Sequence, residues 1–290
     1  DGGVFNTGFG SVWTVAGASN FTGGAGNTAA LVNSGSQISF DSLVLTDMSA
    51  LANPLGNANS FAVYGNDTSA QTTVAVGSGG LTLDNSQLSM KRGGGGALGS
   101  RLVLDGNVTV NGTTTSLITN DTSSGSGGTV EVQLSSTAAA AARDFNIAAG
   151  AGLTIEIEVS DGASTAGSVS KSGSGILTLS GDNTYTGTTS VNNGVLRVDG
   201  THVGADDYSV SATGILDGTG TITLASGKTV ASTGGGSIAP GDGGIGALTI
   251  ESDDTDSTTA PNTVTLGGDF DFQINGNTSS DLLKVNGTVT

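Results

Sequence analysis

A serine hydrolase needs a serine, a histidine and an acid within hydrogen-bond reach of one another. This chain of 290 residues has one histidine, His202, in the stretch VDGTHVGADDYS, and no G-x-S-x-G elbow. Turn residues flank His202, so it reads as an exposed loop side chain rather than a general base. Asp206 and Asp207 follow closely and could hold His202 or a cation. Paired carboxylates also serve glycoside hydrolysis, but enzymes of that kind line an open groove with acids and aromatics. Aromatic residues make up only 4% of this chain.

The acidic run ESDDTDSTT offers Asp253, Asp254 and Asp256. Alternating oxygens suit a hard cation such as calcium. The run lacks the glycine and closing glutamate of an EF-hand loop. A solvated loop is the first reading and weak calcium binding the second. The glycine run in KRGGGGALGS is followed by no GK[ST], so it reads as a corner and not a phosphate cradle. Phe9 and Trp13 read as caps on an exposed end of the core. With no cysteine, disulfides, thiolate catalysis and cysteine metal sites are excluded. A net charge of −17, with basic residues side by side only in MKR at 90–92, argues against a nucleic-acid partner. No apolar run approaches the roughly 20 residues of a membrane helix, so direct membrane insertion is not expected.

The elements that must position these residues are strands. SLVLTD (42–47), GLTLDN (80–85), RLVLDGNVTVNG (101–112), TVEVQL (129–134), LTIEIEV (153–159), GTITLAS (220–226), ALTIES (247–252), TVTLGGDFDFQING (263–276) and DLLKVNGTVT (281–290) alternate apolar with small or polar residues. Val and Thr favour the pleated backbone. Asp-Gly, Asn-Gly and Gly-Gly pairs punctuate the strands, and Gly reaches 50 residues. One helix candidate stands out, STAAAAARDF around 138–142, and it also reads as a small-residue strand. Two all-β solutions compete, a sandwich or barrel and a stacked solenoid. Medium aliphatics with few aromatics suit a narrow solenoid core, and Thr, Ser and Asn suit outer ladders. Coils of roughly 20–25 residues would give about a dozen rungs and a rod of roughly 60 Å.

The stretch 169–200, VSKSGSGILTLSGDNTYTGTTSVNNGVLRVDG, adds a specific pattern. Lys171, Gly173, Gly175, Leu177, Leu179, Gly181, Asn183, Tyr185, Gly187, Thr189, Val191, Gly194, Leu196 and Val198 fall at the spacing of the autotransporter-associated β-strand repeat, which the stretch closely resembles. Downstream, GSIAPGDGGIGALTI at 236–250 is similar to the segment that often follows such repeats. The resemblance implies a right-handed parallel β-helix on a bacterial cell surface or released outside the cell, and implies no activity. On this reading Leu177, Leu179, Val195, Leu196 and Val198 point inward, Asn183 and the threonines satisfy backbone groups at a corner, and Tyr185 packs over a coil.

Residues 1–290 are therefore expected to form one elongated solenoid, with 1–40 capping its N-terminal end. The expected function is non-enzymatic, extracellular and structural or adhesive. Because the pattern at 281–290 runs in mid-strand to the last residue, self-association into a fibre, matrix or surface layer, head-to-tail or lateral, is expected. A surface polysaccharide, or a host or neighbouring cell surface, is a further partner. The alternative is a β-helix that binds or cleaves polysaccharide.

Overall fold

The computed structural model describes residues 4–23, 29–48, 60–65, 67–92, 98–121, 128–135, 142–162, 165–252, 263–266, 269–270, 274–275, 279–286 and 288–290. Among these residues there is no helix, and nearly all strand pairs are parallel. One ladder shows the construction. Strands at 18–22, 42–46, 80–84, 108–111, 142–147, 168–172, 189–191, 208–210, 229–232, 263–266 and 288–289 each pair with the next, giving eleven rungs. A second face runs from 4–6 to 269–270. A third runs from 12–15 to 282–285, with its two ladders joined where Asn183 and Thr184 meet Val159. Parallel neighbours need a long connection, and here the connection is the remainder of the coil. The chain is a three-faced parallel β-helix, so the solenoid reading holds and the sandwich does not. The described antiparallel pairing is confined to Ile274–Asn275 with Ser279–Ser280 and to a single Gly218–Gly241 bridge.

The core arises from the period of two. In Ile176–Leu179 and Thr221–Leu224 every second side chain is buried. Stacking puts like on like: Leu153, Leu177, Leu196, Leu216 and Ile238 form one buried column. Each such leucine contributes about 1.5–3 kcal/mol by leaving water. Val195 departs from expectation. Leu196 and Val198 are inward, so parity turns Val195 outward, and it is half-buried.

Two other expectations change. LTIEIEV is two strands, Gly152–Ile155 and Glu158–Ser160, because the chain turns a corner between faces. Residues 136–141 of the helix candidate lie outside the described residues, and its remainder belongs to a strand, Ala142–Ile147. The coil length also varies. Leu177 pairs with Leu196 and Thr201 with Thr221, offsets of 19 and 20 residues. Ser42 pairs with Gly80, an offset of 38.

The short coils require close approach at one corner. A Cβ on Gly200 would lie 2.1 Å from the Gly181 carbonyl oxygen, and one on Gly220 would lie 2.1 Å from that of Gly200. No side chain fits between rungs there, whatever its φ.

Candidate functional site

The coils at 169–224 carry polar groups on the inside. Lys171 lies in a column between Phe145 and Val191 and is fully buried. Its Nζ donates to the carbonyls of Ser172 (2.7 Å), Gly173 (2.8 Å) and Asn193 (3.0 Å). Burial pushes the lysine pKa down to about 8, against the opposing pull of Asp144.

Asn183 does the same work for the next corner. Its Nδ2 donates to Gly181 O (2.9 Å) and Thr201 O (3.0 Å), and its Oδ1 accepts from Val159 N (3.2 Å). Asn183 is wholly buried, so the sequence-based role of satisfying corner backbone holds. Gly175, Gly187 and Gly194 sit at neighbouring corners where a Cβ would press on backbone oxygens at 2.3–2.5 Å.

One rung on, His202 occupies the position that Asn183 holds below it and Ile222 above it. It is not the exposed loop histidine expected: none of its surface meets solvent. The turn residues around it were misleading, because Thr201–Ala205 is a strand whose buried positions are 202 and 205. Its Nε2 meets Tyr185 O at 2.7 Å and its Nδ1 meets Tyr208 Oη at 2.5 Å. A carbonyl cannot donate, so Nε2 carries the proton and Nδ1 accepts from the phenol. The Tyr185 and His202 rings stack with centroids 3.9 Å apart, and Tyr185 Oη bonds Thr189 Oγ1 at 2.8 Å. Burial pushes the imidazole pKa down to about 4, opposed by the Tyr185 carbonyl and by Asp161. It pushes the Tyr185 phenol up to about 12, and Tyr208 also well up.

Asp206 and Asp207 do not join His202. Asp206 Oδ1 pairs with Lys228 Nζ at 2.7 Å. Asp207 Oδ1 accepts from Thr229 N (2.7 Å) and Thr229 Oγ1 (3.0 Å). The second contact belongs to a recurring device that the sequence reading missed. Asp161 accepts both the N and the Oγ1 of Thr186 (2.7 and 2.7 Å), and Asp199 accepts both from Thr219 (3.0 and 3.2 Å). Each acid therefore binds the backbone and hydroxyl of a threonine one rung later. The signal in sequence is an Asp about 20–25 residues before a Thr, faint in a chain so rich in Thr.

Asp253, Asp254 and Asp256, the calcium candidates, lie outside the described residues. Among the described residues no three His, Cys, Asp or Glu side chains gather to hold a metal. Two of the surface clefts between strands are lined by described residues. One, of about 460 Å³, is lined by Thr113, Thr115, Thr154, Ile176, Thr178 and Arg197 among others. Arg197 is already bound in a bidentate pair to Asp217, at 3.0 and 2.7 Å. The other, of about 250 Å³, holds Glu156, Glu158 and Asp182. Hydroxyls pull these carboxylates apart: Thr119 donates to Glu156, Thr184 to Glu158 at 2.6 Å, and Thr201 to Asp182 at 2.9 Å. No aromatic side chain lines either cleft.

No curated protein and no solved structure matches the chain. Residues 169–198, the segment that carries Lys171, Asn183 and Tyr185, match the family model of the passenger-associated-transport-repeat.

Proposed function

We propose that this chain is a structural module of a secreted or cell-surface passenger, a stiff β-helical spacer without enzymatic activity. The carrying observation is where the outer polar groups are spent. Ser170 and Ser172 bind Asp144 (2.9 and 2.7 Å), Asn192 binds Ser170 (3.1 Å), and Ser209 meets Ser190 (3.2 Å), all between neighbouring rungs. Together with the Asp–Thr pairs, these bonds tie coil to coil instead of converging on a ligand. The fold itself and the passenger repeat support the same reading. The match of residues 169–198 to a passenger repeat supports an extracellular or surface location.

Taken alone, these 290 residues also present apolar side chains at both ends of the stack. Phe9, Val12 and Trp13 are 80%, 77% and 47% exposed, and Leu282 and Val289 are 55% and 52% exposed. Among the described residues the strand Val12–Thr22 pairs on one edge only, with Gln37–Thr46. Such edges template further strands, and the spacer reading includes end-to-end association of this chain through them. Three measurements test the proposal. Electron microscopy should show rods, the single unit close to 50 Å long from ten spacings of about 4.8 Å. Incubation with a panel of bacterial and plant polysaccharides should release no reducing ends. Cleavage of any of them overturns the spacer reading in favour of a polysaccharide-acting β-helix. Sedimentation as a strict monomer at micromolar concentration overturns the end-to-end association alone.

A further inference from the structure

The spacer reading makes no use of a titratable base sealed inside the stack. His202 has both ring nitrogens committed, one to a carbonyl and one to a phenol, and it is packed on every side. Below it lies Asn183, which is neutral. Above it lies Ile222. Tyr185 covers its ring face, Tyr208 its Nδ1, and Thr189 is tied to Tyr185. The nearest acid acting on it is Asp161, whose two oxygens already accept from Thr186. Asp206 and Asp207, close in sequence, are held by Lys228 and Thr229. No carboxylate therefore stands ready to receive an imidazolium.

We propose that His202 is an acid-operated latch on the coils of the repeat: a proton at Nδ1 opens the segment 183–210 reversibly, while the aliphatic coils upstream stay closed. The match of donors to acceptors decides which state the ring tolerates. In the neutral ring Nδ1 accepts from Tyr208. Once protonated, Nδ1 can only donate, so the phenol must turn its hydrogen away from the ring and the cation sits in an apolar slot with no carboxylate in contact. Opening lets water solvate that cation. The opened chain takes the proton at the ordinary histidine pKa, near 6.5, and the closed one only near 4. Closed-state stability from this group is therefore complete above pH 6.5 and is lost as pH falls through the window from 6.5 to about 4. Across it the opening constant rises about tenfold per pH unit, the uptake of one proton.

His202 is the chain's only histidine, so its ring signals are unambiguous by NMR. A titration from pH 7.5 to 4 on the full chain should show a neutral, Nε2-protonated ring throughout the closed state. Hydrogen exchange, corrected for intrinsic rates, should show amides at 189–198 opening tenfold more per unit below pH 6.5, with amides at 81–84 unmoved and full recovery at pH 7.5. In His202→Phe that one-proton dependence should vanish. Tyr208→Phe keeps the ring volume but strips Nδ1 of its donor, and should raise opening at every pH in the window. A ring that protonates between pH 6 and 7 with 189–198 still protected overturns the latch, even should neither variant fold. The same pH slope in His202→Phe as in the parent chain also overturns it.

Discussion

Two stretches of the same stack fill their interiors differently. Between 21 and 134 the large inward side chains are aliphatic and phenyl, and the buried polar ones are small hydroxyls such as Thr72, Ser86, Ser100 and Ser116. Phe21, Phe40 and Phe61 meet edge to face at 5.3–6.4 Å, and Leu83, Leu88, Met90 and Leu102 are buried in the same apolar core. Between 169 and 224 Lys171, Asn183, Tyr185, Thr189, His202 and Tyr208 take inward positions. The coils differ in the same sense. Leu43 pairs with Leu81 and Leu81 with Val108, offsets of 38 and 27, whereas Lys171 pairs with Val191 and Val191 with Val210, offsets of 20 and 19. Apolar contact is non-directional and tolerates neighbours from coils of unequal length. Hydrogen bonds within the core demand fixed distances and angles, and a uniform coil supplies them. The regular repeat is thus a device for holding a polar interior in register.

The largest effect expected is one that the two regions share. Leu177→Asp and Leu83→Asp each place an unpaired carboxylate in a sealed column. Each should cost about 4 kcal/mol or more, read as loss of the cooperative thermal transition. A tolerated aspartate in either place would break the inside–outside assignment there.

The next largest effect belongs to the short coils. In Gly200→Ala the new Cβ would meet the Gly181 carbonyl at 2.1 Å, so the rungs must part, at about 2–4 kcal/mol. Gly227 is the control. It has φ of +75° and nothing within 4 Å of an added Cβ, so Gly227→Ala strains the backbone alone, by about 1 kcal/mol. Denaturant titrations of the two variants should rank them in that order, and equal losses would show that rung spacing does not decide the glycine column.

A third substitution sharpens the contrast directly. Asn183→Leu keeps a buried side chain of similar size but removes the amide's bonds to Val159 N, Gly181 O and Thr201 O, of which Gly181 O keeps its bond from Thr201 N. That should cost about 1–3 kcal/mol. Met90→Leu, in the aliphatic region, should cost less than about 1.5 kcal/mol. Should the two prove alike in chemical denaturation, the polar interior would be no more demanding than the apolar one.

Much of this was legible in the residues. The alternation over 176–179 and 221–224, with glycine between, is enough for inward and outward faces, and the pattern from Lys171 to Val198 is enough for the passenger repeat. What stayed hidden depends on contacts between rungs. His202 comes after Asp-Gly-Thr, a turn signal, and only the pairing of Thr201–Ala205 with Thr221–Leu224 reveals an inward position. Val195 looks like core by composition, and parity with Leu196 sends it out. The charge of −17 speaks only against a nucleic-acid partner, yet Asp161, Asp199 and Asp207 each bind a threonine of another coil. Such partners lie some 20 residues apart with no local mark, so the sequence holds both members without joining them.

The smallest effect tests those acid-to-threonine bonds from the outside. Thr188 is exposed, and its Oγ1 reaches only the hydroxyl of Ser168, at 3.4 Å, where water can replace it. Its backbone N keeps its own bond to Ser168 Oγ at 3.1 Å whatever the side chain. Thr188→Ala should therefore change stability by less than about 0.5 kcal/mol. Thr186, two residues earlier and likewise exposed, donates its Oγ1 to Asp161 Oδ2 at 2.7 Å. A hydrogen bond to a charged acceptor is stronger than one between hydroxyls, so Thr186→Ala should cost about 1 kcal/mol. Thermal melts of the two alanine variants separate the cases. A Thr186→Ala chain as stable as Thr188→Ala would mean that the acid-to-threonine bonds decorate the rungs without fastening them, and the regular coils would then owe their register to the buried polar groups alone.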